Sequence, residues 1–313
     1  MSNHSLAREY LTWLSKTRGR TGLTTYQYAS TLNQFLAWIG TTPLDRVSLR
    51  QCETFLARPR GGRAGGNPGS PATQSKDGTI VRQLYTYLHN RGHVGRNPAA
   101  LLGAPTIKNR NPRPIPDDDW VTLWGADLTR CERVAFGLGF FCGLRRNEIT
   151  TLRTDQVVPD ASALLGFTRK GGGDDVVYYG DLLRVFEVKL PHLGAERFVP
   201  CLHAFRATRN SHPFLIEWGH APARTAVHDL PDGQTAPDRV NRALHDTLVR
   251  LGLPHYTPHQ LRHSFVTNLI RAGVPLHVVS RLANHTNQAV TERYLKVGGG
   301  DLAEWLRQID RHQ

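Results

Sequence analysis

Three short clusters in the second half of the chain hold residue types that can do chemistry. Gly143-Leu144-Arg145-Arg146-Asn147-Glu148 lies where one helical pattern gives way to another. His259-Gln260-Leu261-Arg262-His263 opens an amphipathic pattern that ends at Gly273, and His285 is followed nine residues later by Tyr294. His259 and His263 are four apart, so on a helix they share a face, a spacing that suits a metal. A zinc-protease pattern needs Glu directly after the first His, however, and Gln260 stands there. Arg262 between the two imidazoles would also repel a cation. Two histidines and an arginine suit an oxyanion such as phosphate better. Helix-surface or capping histidines without a role are the bland alternative.

A set of Arg, Lys, His, Arg, His and Tyr has a coherent use. Guanidinium groups fork onto non-bridging phosphate oxygens and offset the charge of a phosphoryl transition state. A lysine on a flexible turn can deliver a proton to a leaving oxygen. A tyrosine hydroxyl has a reference pKa near 10, and nearby cations favour its phenolate, which makes it a usable nucleophile. Such a set would form a covalent phosphotyrosyl bond and would need neither metal nor cofactor, because the arginines supply the positive charge.

These residues resemble those of the tyrosine recombinases, the phage-integrase family. The family's Gly-Leu-Arg followed by Glu three positions after the Arg is matched by Arg145 and Glu148. Its His-x-Leu-Arg-His box is matched by His259, Leu261, Arg262 and His263, and its His with a tyrosine nine residues on by His285 and Tyr294. Lys170, followed by three glycines, occupies the place of the family's β-turn lysine, with Asp174 and Asp175 where basic residues often follow. Asn284 replaces the usual Gly before the His; Asn is the next best residue for a left-handed helix end. The segment Val81–Leu88 with Asn97-Pro98-Ala99 is similar to the end of the family's helical core-binding domain. The resemblance covers nearly the whole chain apart from about 184–238. It implies that Tyr294 attacks the scissile phosphate, leaving a 3′-phosphotyrosyl link and a free 5′ hydroxyl. Arg145 and Arg262 would clamp the phosphate, Lys170 would protonate the departing oxygen, His259 would help manage the tyrosine proton and His285 would bond the phosphate. Glu148 and His263 would support their neighbours.

The elements that must position these residues can be read from periodicity. Before residue 103 four amphipathic patterns recur at helical spacing: Leu6 to Leu14, Tyr28 to Ile39, Leu49 to Ala57 and Val81 to Leu88. No strand pattern competes, so residues 1–102 read as a small all-helical bundle, the core-binding domain of the resemblance. A Gly/Pro-rich loop from Pro59 to Pro71 interrupts it. It is either a plain surface insertion or an arginine-bearing loop, with Arg60 and Arg63, that settles along a phosphate backbone. Residues 103–116, rich in proline and carrying Lys108 and Arg110, read as an extended basic linker. Asp117, Asp118 and Asp119 then mark a helix N-terminus and the start of the catalytic domain, 117–313. That domain reads as helical from Trp120 to Phe141, with a β-hairpin of 163–168 and 176–179 around Lys170-Gly171-Gly172-Gly173. Only loops and short elements are legible over 182–237, and helix returns from 239. The fold class is therefore mainly α: a helical bundle followed by an α+β, mostly helical domain with a small antiparallel sheet. After Gly298-Gly299-Gly300, Leu302, Trp305, Leu306 and Ile309 make an apolar helical stripe at about 301–311. It would dock on its own domain or, as in the family, on a neighbouring protomer of a tetramer.

Composition narrows the partners. The chain of 313 residues carries a net charge of +13, which points to a polyanion. Residues 1–112 hold 15 basic and 4 acidic side chains, +11, whereas 113–313 hold 24 and 22, only +2. No stretch approaches 18 uncharged apolar residues, and the N-terminus lacks an apolar signal core, so a bacterial cytoplasmic protein acting at no membrane is expected. The four cysteines are far apart and match no zinc spacing. The whole then reads as a two-domain clamp around duplex DNA that performs site-specific strand exchange. Integration or excision of a phage or mobile element, with or without an accessory DNA-bending or directionality factor, is the leading role. An Xer-type dimer-resolution recombinase is the alternative within the family. A type IB topoisomerase or a non-catalytic DNA-binding protein are the alternatives outside it.

Overall fold

The computed structural model describes residues 1–18, 22–59, 68–103, 105–106, 111–168, 174–209, 213–216, 237–285, 288–292 and 294. Its contacts divide the chain into two compact units, residues 1–109 and 110–313, each with its own core.

The first unit contains four helices: α1 Asn3–Lys16, α2 Gly22–Ile39, α3 Leu49–Leu56 and α4 Pro71–Asn90. Their starts follow from side-chain caps. Ser2 Oγ accepts from the Ser5 amide at 3.1 Å, and Ser48 and Gln51 satisfy each other's backbone donors at the head of α3. The fourth helix begins ten residues before the Val81–Leu88 pattern. Ser70 caps it and Pro71 occupies its first turn, where a missing N–H costs nothing. Pro59 and Pro68 form an isolated antiparallel bridge. Phe35, Phe55, Leu84, Tyr85 and Leu88 are fully buried in the core of this unit. Arg58 and Asp77 form an ion pair of 3.0 Å within it.

The second unit opens with α5 Asp117–Gly125, whose three aspartates complement the helix dipole. The expected run from Trp120 to Phe141 is two helices, because Thr129 and Glu132 cap a new one, α6 Arg130–Phe140. There follow α7 Arg146–Thr151, β1 Val157–Val158, β2 Ala163–Thr168, β3 Asp174–Tyr178 and α8 Tyr179–Lys189. Then come α9 Phe198–Ala207, α10 Pro237–Arg250, α11 Pro258–Arg271, α12 Leu276–Leu282 and α13 Gln288–Glu292. The sheet is antiparallel in the order β1-β2-β3, with Ala163 opposite Tyr178 and Thr168 opposite Asp174. Its last strand thus starts two residues earlier than the apolar pattern suggests, and Tyr179 already belongs to α8. Among the described residues, 182–209 is mainly helical rather than irregular. Phe186, Phe198 and Leu202 of these helices join Trp120, Trp124, Phe140 and Phe141 in one core. The two buried indoles donate to the carbonyls of Leu193 and Gly194, at 3.0 and 2.8 Å.

Helix α6 is the axis on which the site is mounted. A Cβ at Gly139 would lie 3.1 Å from Leu261, and one at Gly137 would overlap the Phe198 ring. The missing side chains let α11 and α9 approach α6 closely, which brings the His259–His263 segment beside the Arg145 segment. Among the described residues no helix is long and apolar enough to cross a membrane.

Candidate active site

The first cluster is shaped by a helix end. After α6 the chain turns at Gly143, with φ +67°, and the Leu144 amide donates back to the Leu138 carbonyl at 3.1 Å. Arg145 then precedes α7, and Glu148 one turn on fixes it twice. Its carboxylate accepts the Arg145 amide at 2.7 Å and the Arg145 Nη1 at 2.8 Å. Glu148 is buried, whereas the arginine side chain keeps 27% of its surface. A charge-assisted pair of this kind holds the guanidinium plane in one orientation.

The second cluster opens α11. Pro258 occupies the first turn, and Gln260 Oε1 accepts the Thr257 amide at 3.0 Å. Gln260, the residue that breaks the metal pattern, thus serves as a helix cap. Arg262, on the inward face, has only 2% exposure. Its Nη1 donates to the Gly143 carbonyl and its Nη2 to the Ala283 carbonyl. His259 and His263 share a face of the helix beside Arg262, with rings perpendicular and centroids 4.5 Å apart.

The third cluster follows α12. Asn284 adopts φ +44°, the left-handed conformation its sequence position requires. Its carbonyl accepts from Arg145 Nη2 at 3.1 Å. Consecutive carbonyls, 283 and 284, therefore hold one arginine each. His285 Nδ1 bonds Thr291 Oγ1 at 2.8 Å, and the Tyr294 amide donates to the Thr291 carbonyl at 3.0 Å. The Tyr294 ring lies nearly parallel to that of His285, centroids 6.3 Å apart, and is 5% exposed. Its hydroxyl is 2.8 Å from His263 Nδ1.

The electrostatics follow from this packing. Loss of water around His263 pushes its pKa down to about 4, helped by His259, Arg262 and His285. His285 is likewise lowered to about 4 by burial, then by Arg262, Arg145 and His259. His259 is lowered too, by desolvation and by Arg262 and Arg145, although the residue is exposed. At neutral pH the imidazoles are uncharged and able to accept protons, while the arginines carry the positive charge.

Arg145, Glu148, His259, Arg262, His263, His285 and Tyr294, spread over 150 residues of sequence, thus form one connected cluster. Lys170, between β2 and β3 in sequence, lies outside the described residues, as do Arg60, Arg63, Lys108, Arg110 and the stripe at 301–311. The sequence did not point to Thr291 or to the carbonyls of Gly143 and Ala283. Main-chain acceptors leave no mark in side-chain spacing, and a single threonine in a short helix is unremarkable. The arrangement can hold an oxyanion beside Arg145 and present a hydroxyl nucleophile with imidazoles as proton acceptors.

Residues 218–298 match the phage integrase family. The chain is 28% identical over 302 residues to the tyrosine recombinase XerC of Rhodospirillum centenum, spanning 91% of this chain and 80% of that protein. Its fold is similar to that of a lambda integrase dimer bound to a COC′ core site. The TM-score is 0.67 at 15% identity, covering 93% of this chain and 97% of that one. It is similar as well to a lambda integrase tetramer bound to a Holliday junction. There the TM-score is 0.67 at 14% identity, covering 92% and 78%.

Proposed function

We propose, from the match of residues 218–298 to the phage integrase family and the similarity to tyrosine recombinases, that the cluster around Tyr294 cuts and rejoins DNA at a specific site through a 3′-phosphotyrosyl intermediate. The observation that carries the reading is the junction of Arg145, Arg262, His259, His263 and His285 with the segment bearing Tyr294. Tyr294 attacks the scissile phosphorus. Arg145 and Arg262 offset the charge that grows on the non-bridging oxygens. Lys170 gives a proton to the departing 5′ oxygen, His259 helps manage the tyrosine proton, and His285 bonds the phosphate. Glu148 orients Arg145. The phosphotyrosyl bond stores the energy of the cut ester, so religation to a partner strand needs no nucleotide.

The partner is double-stranded DNA in the bacterial cytoplasm. Strand exchange calls for four protomers on two duplexes, coupled through the 301–311 stripe. The strongly basic N-terminal unit, with Arg60 and Arg63 in its insertion and Lys108 and Arg110 after it, supplies salt-sensitive grip on phosphates. The role we favour is integration or excision of a phage or mobile element, with a bending or directionality factor as a further partner. Similarity to a XerC protein favours dimer resolution as the second reading.

A nicked duplex carrying a candidate attachment site tests the chemistry. Wild type is expected to yield a covalent protein–DNA adduct and Tyr294→Phe none. Absence of adduct on every attachment and dimer-resolution site tried would remove the enzymatic reading. Adduct without exchange between two duplexes would turn it toward a topoisomerase.

A further inference from the structure

Tyr294 does not meet the histidine expected to manage its proton. His263 is in ring contact with both His259 and Tyr294. The perpendicular His259 ring is 4.5 Å from that of His263, the Tyr294 ring is 5.5 Å from it, and the Tyr294 hydroxyl is 2.8 Å from His263 Nδ1. The Tyr294 amide is bonded to the Thr291 carbonyl, and the Thr291 hydroxyl bonds His285, so one residue ties the tyrosine's backbone and the neighbouring imidazole together.

We propose that His263, rather than the more exposed His259, is the group that takes the proton from Tyr294 as the phosphotyrosyl bond forms. The inference rests on the reaction proposed above. In that step the Oη–H bond breaks and its proton passes to His263 Nδ1, while Oη forms the bond to phosphorus. The P–O5′ bond breaks with its electron pair, and the 5′ oxygen takes a proton from the acid assigned to Lys170. Religation runs in reverse: the 5′ hydroxyl attacks, the tyrosine oxygen leaves, and His263 returns the proton. One imidazole thus acts as base in cleavage and as acid in rejoining.

The environment suits the task. His263 is uncharged before DNA arrives, because water is largely stripped from it and Arg262 and His259 oppose its protonation. A phosphate held against the arginines would neutralise that opposition and raise the affinity of the ring for a proton when it is needed. His259, in ring contact with His263 and an exposed residue, is the group through which the proton would reach water.

Two measurements test this on the full chain. In the free protein, Tyr294→Phe is expected to shift the Nδ1 resonance of 15N-labelled His263, and an unchanged resonance would overturn the contact. Single-turnover adduct formation is then followed on a nicked duplex that wild type cleaves. His263→Ala and His263→Asn should both slow it by about 10² to 10⁴ fold, with partial rescue of the alanine variant by added imidazole. The asparagine can keep a hydrogen bond to the tyrosine but cannot titrate, so a wild-type rate in His263→Asn would overturn the proposal. A substrate with sulfur in place of the bridging 5′ oxygen needs no acid. It should relieve Lys170→Ala but not His263→Asn, and relief of the latter would place His263 on the leaving group instead. Failure of wild type itself to cleave is a different result, which removes the proposed reaction rather than the choice of base.

Discussion

Arg145 Nη2 donates to the main-chain carbonyl of Asn284 at 3.1 Å, across 139 residues of sequence. Asn284 ends its helix in the left-handed conformation, with φ +44°, and its carbonyl meets the first cluster there. The helix terminus of one segment thereby orients the guanidinium of another.

Substitution at Asn284 should therefore act on Arg145. Asn284→Gly keeps the left-handed conformation at no steric cost and should retain adduct formation. Asn284→Val places a β-branched residue there at about 1–2 kcal/mol and moves the carbonyl. The expected outcome is a lower melting temperature together with at least a tenfold slower single-turnover cleavage. Equal rates for the two variants would detach Arg145 from this helix end.

Gly143 carries a heavier constraint. Its φ is +67°, a Cβ there would overlap the Phe265 ring, and its carbonyl accepts from Arg262. Gly143→Ala should cost about 1–3 kcal/mol of packing on top of the backbone term. Gly252 is the control, with φ +65° and open space where a methyl group would stand. Denaturant titration should show the larger loss at Gly143, and cleavage should fall only there.

Arg58 and Asp77 test the stability of the N-terminal unit apart from the chemistry. They pair at 3.0 Å with side-chain exposures of 7% and 4%, and Arg58 also donates to the Phe55 carbonyl and the Gln34 side chain. Removing one partner leaves a buried charge, a loss of about 3–5 kcal/mol. Asp77→Ala should lower the urea midpoint accordingly. An exposed pair such as Arg153–Asp155 should give less than about 1 kcal/mol when broken in the same way.

Acid should weaken the fold through His263 and His285. Both are lowered to about 4 in the folded chain, from an ordinary value of 6.5. Above pH 6.5 neither state holds the proton and there is no effect. As pH falls from 6.5 toward 4 the unfolded chain takes up protons that the folded chain refuses, so stability declines across that window. Melting temperatures measured from pH 7.5 to 4.5 should fall more steeply for wild type than for the double variant His263→Asn, His285→Asn. Parallel curves would contradict the lowered values.

The residue types of the site are legible in the sequence alone, because phosphoryl transfer by a tyrosine demands a particular chemical set and that set occurs in order. Helix positions are legible where an apolar period or a cap is local, as at Ser48–Gln51 and Asp117–Asp119. Periodicity is silent over 182–209, since α8 and α9 bury short aromatic faces against Trp120 and Phe140 rather than a long regular stripe. It also cannot show which histidine meets Tyr294. His259 and His263 are equivalent on a helical wheel, and the choice depends on where α13 ends, how Thr291 holds the chain, and how closely Gly139 lets α11 approach α6. The chemistry is written in side-chain identity, which is local. The assignment of partners depends on distances between segments up to 139 residues apart, and those arise only when the core closes.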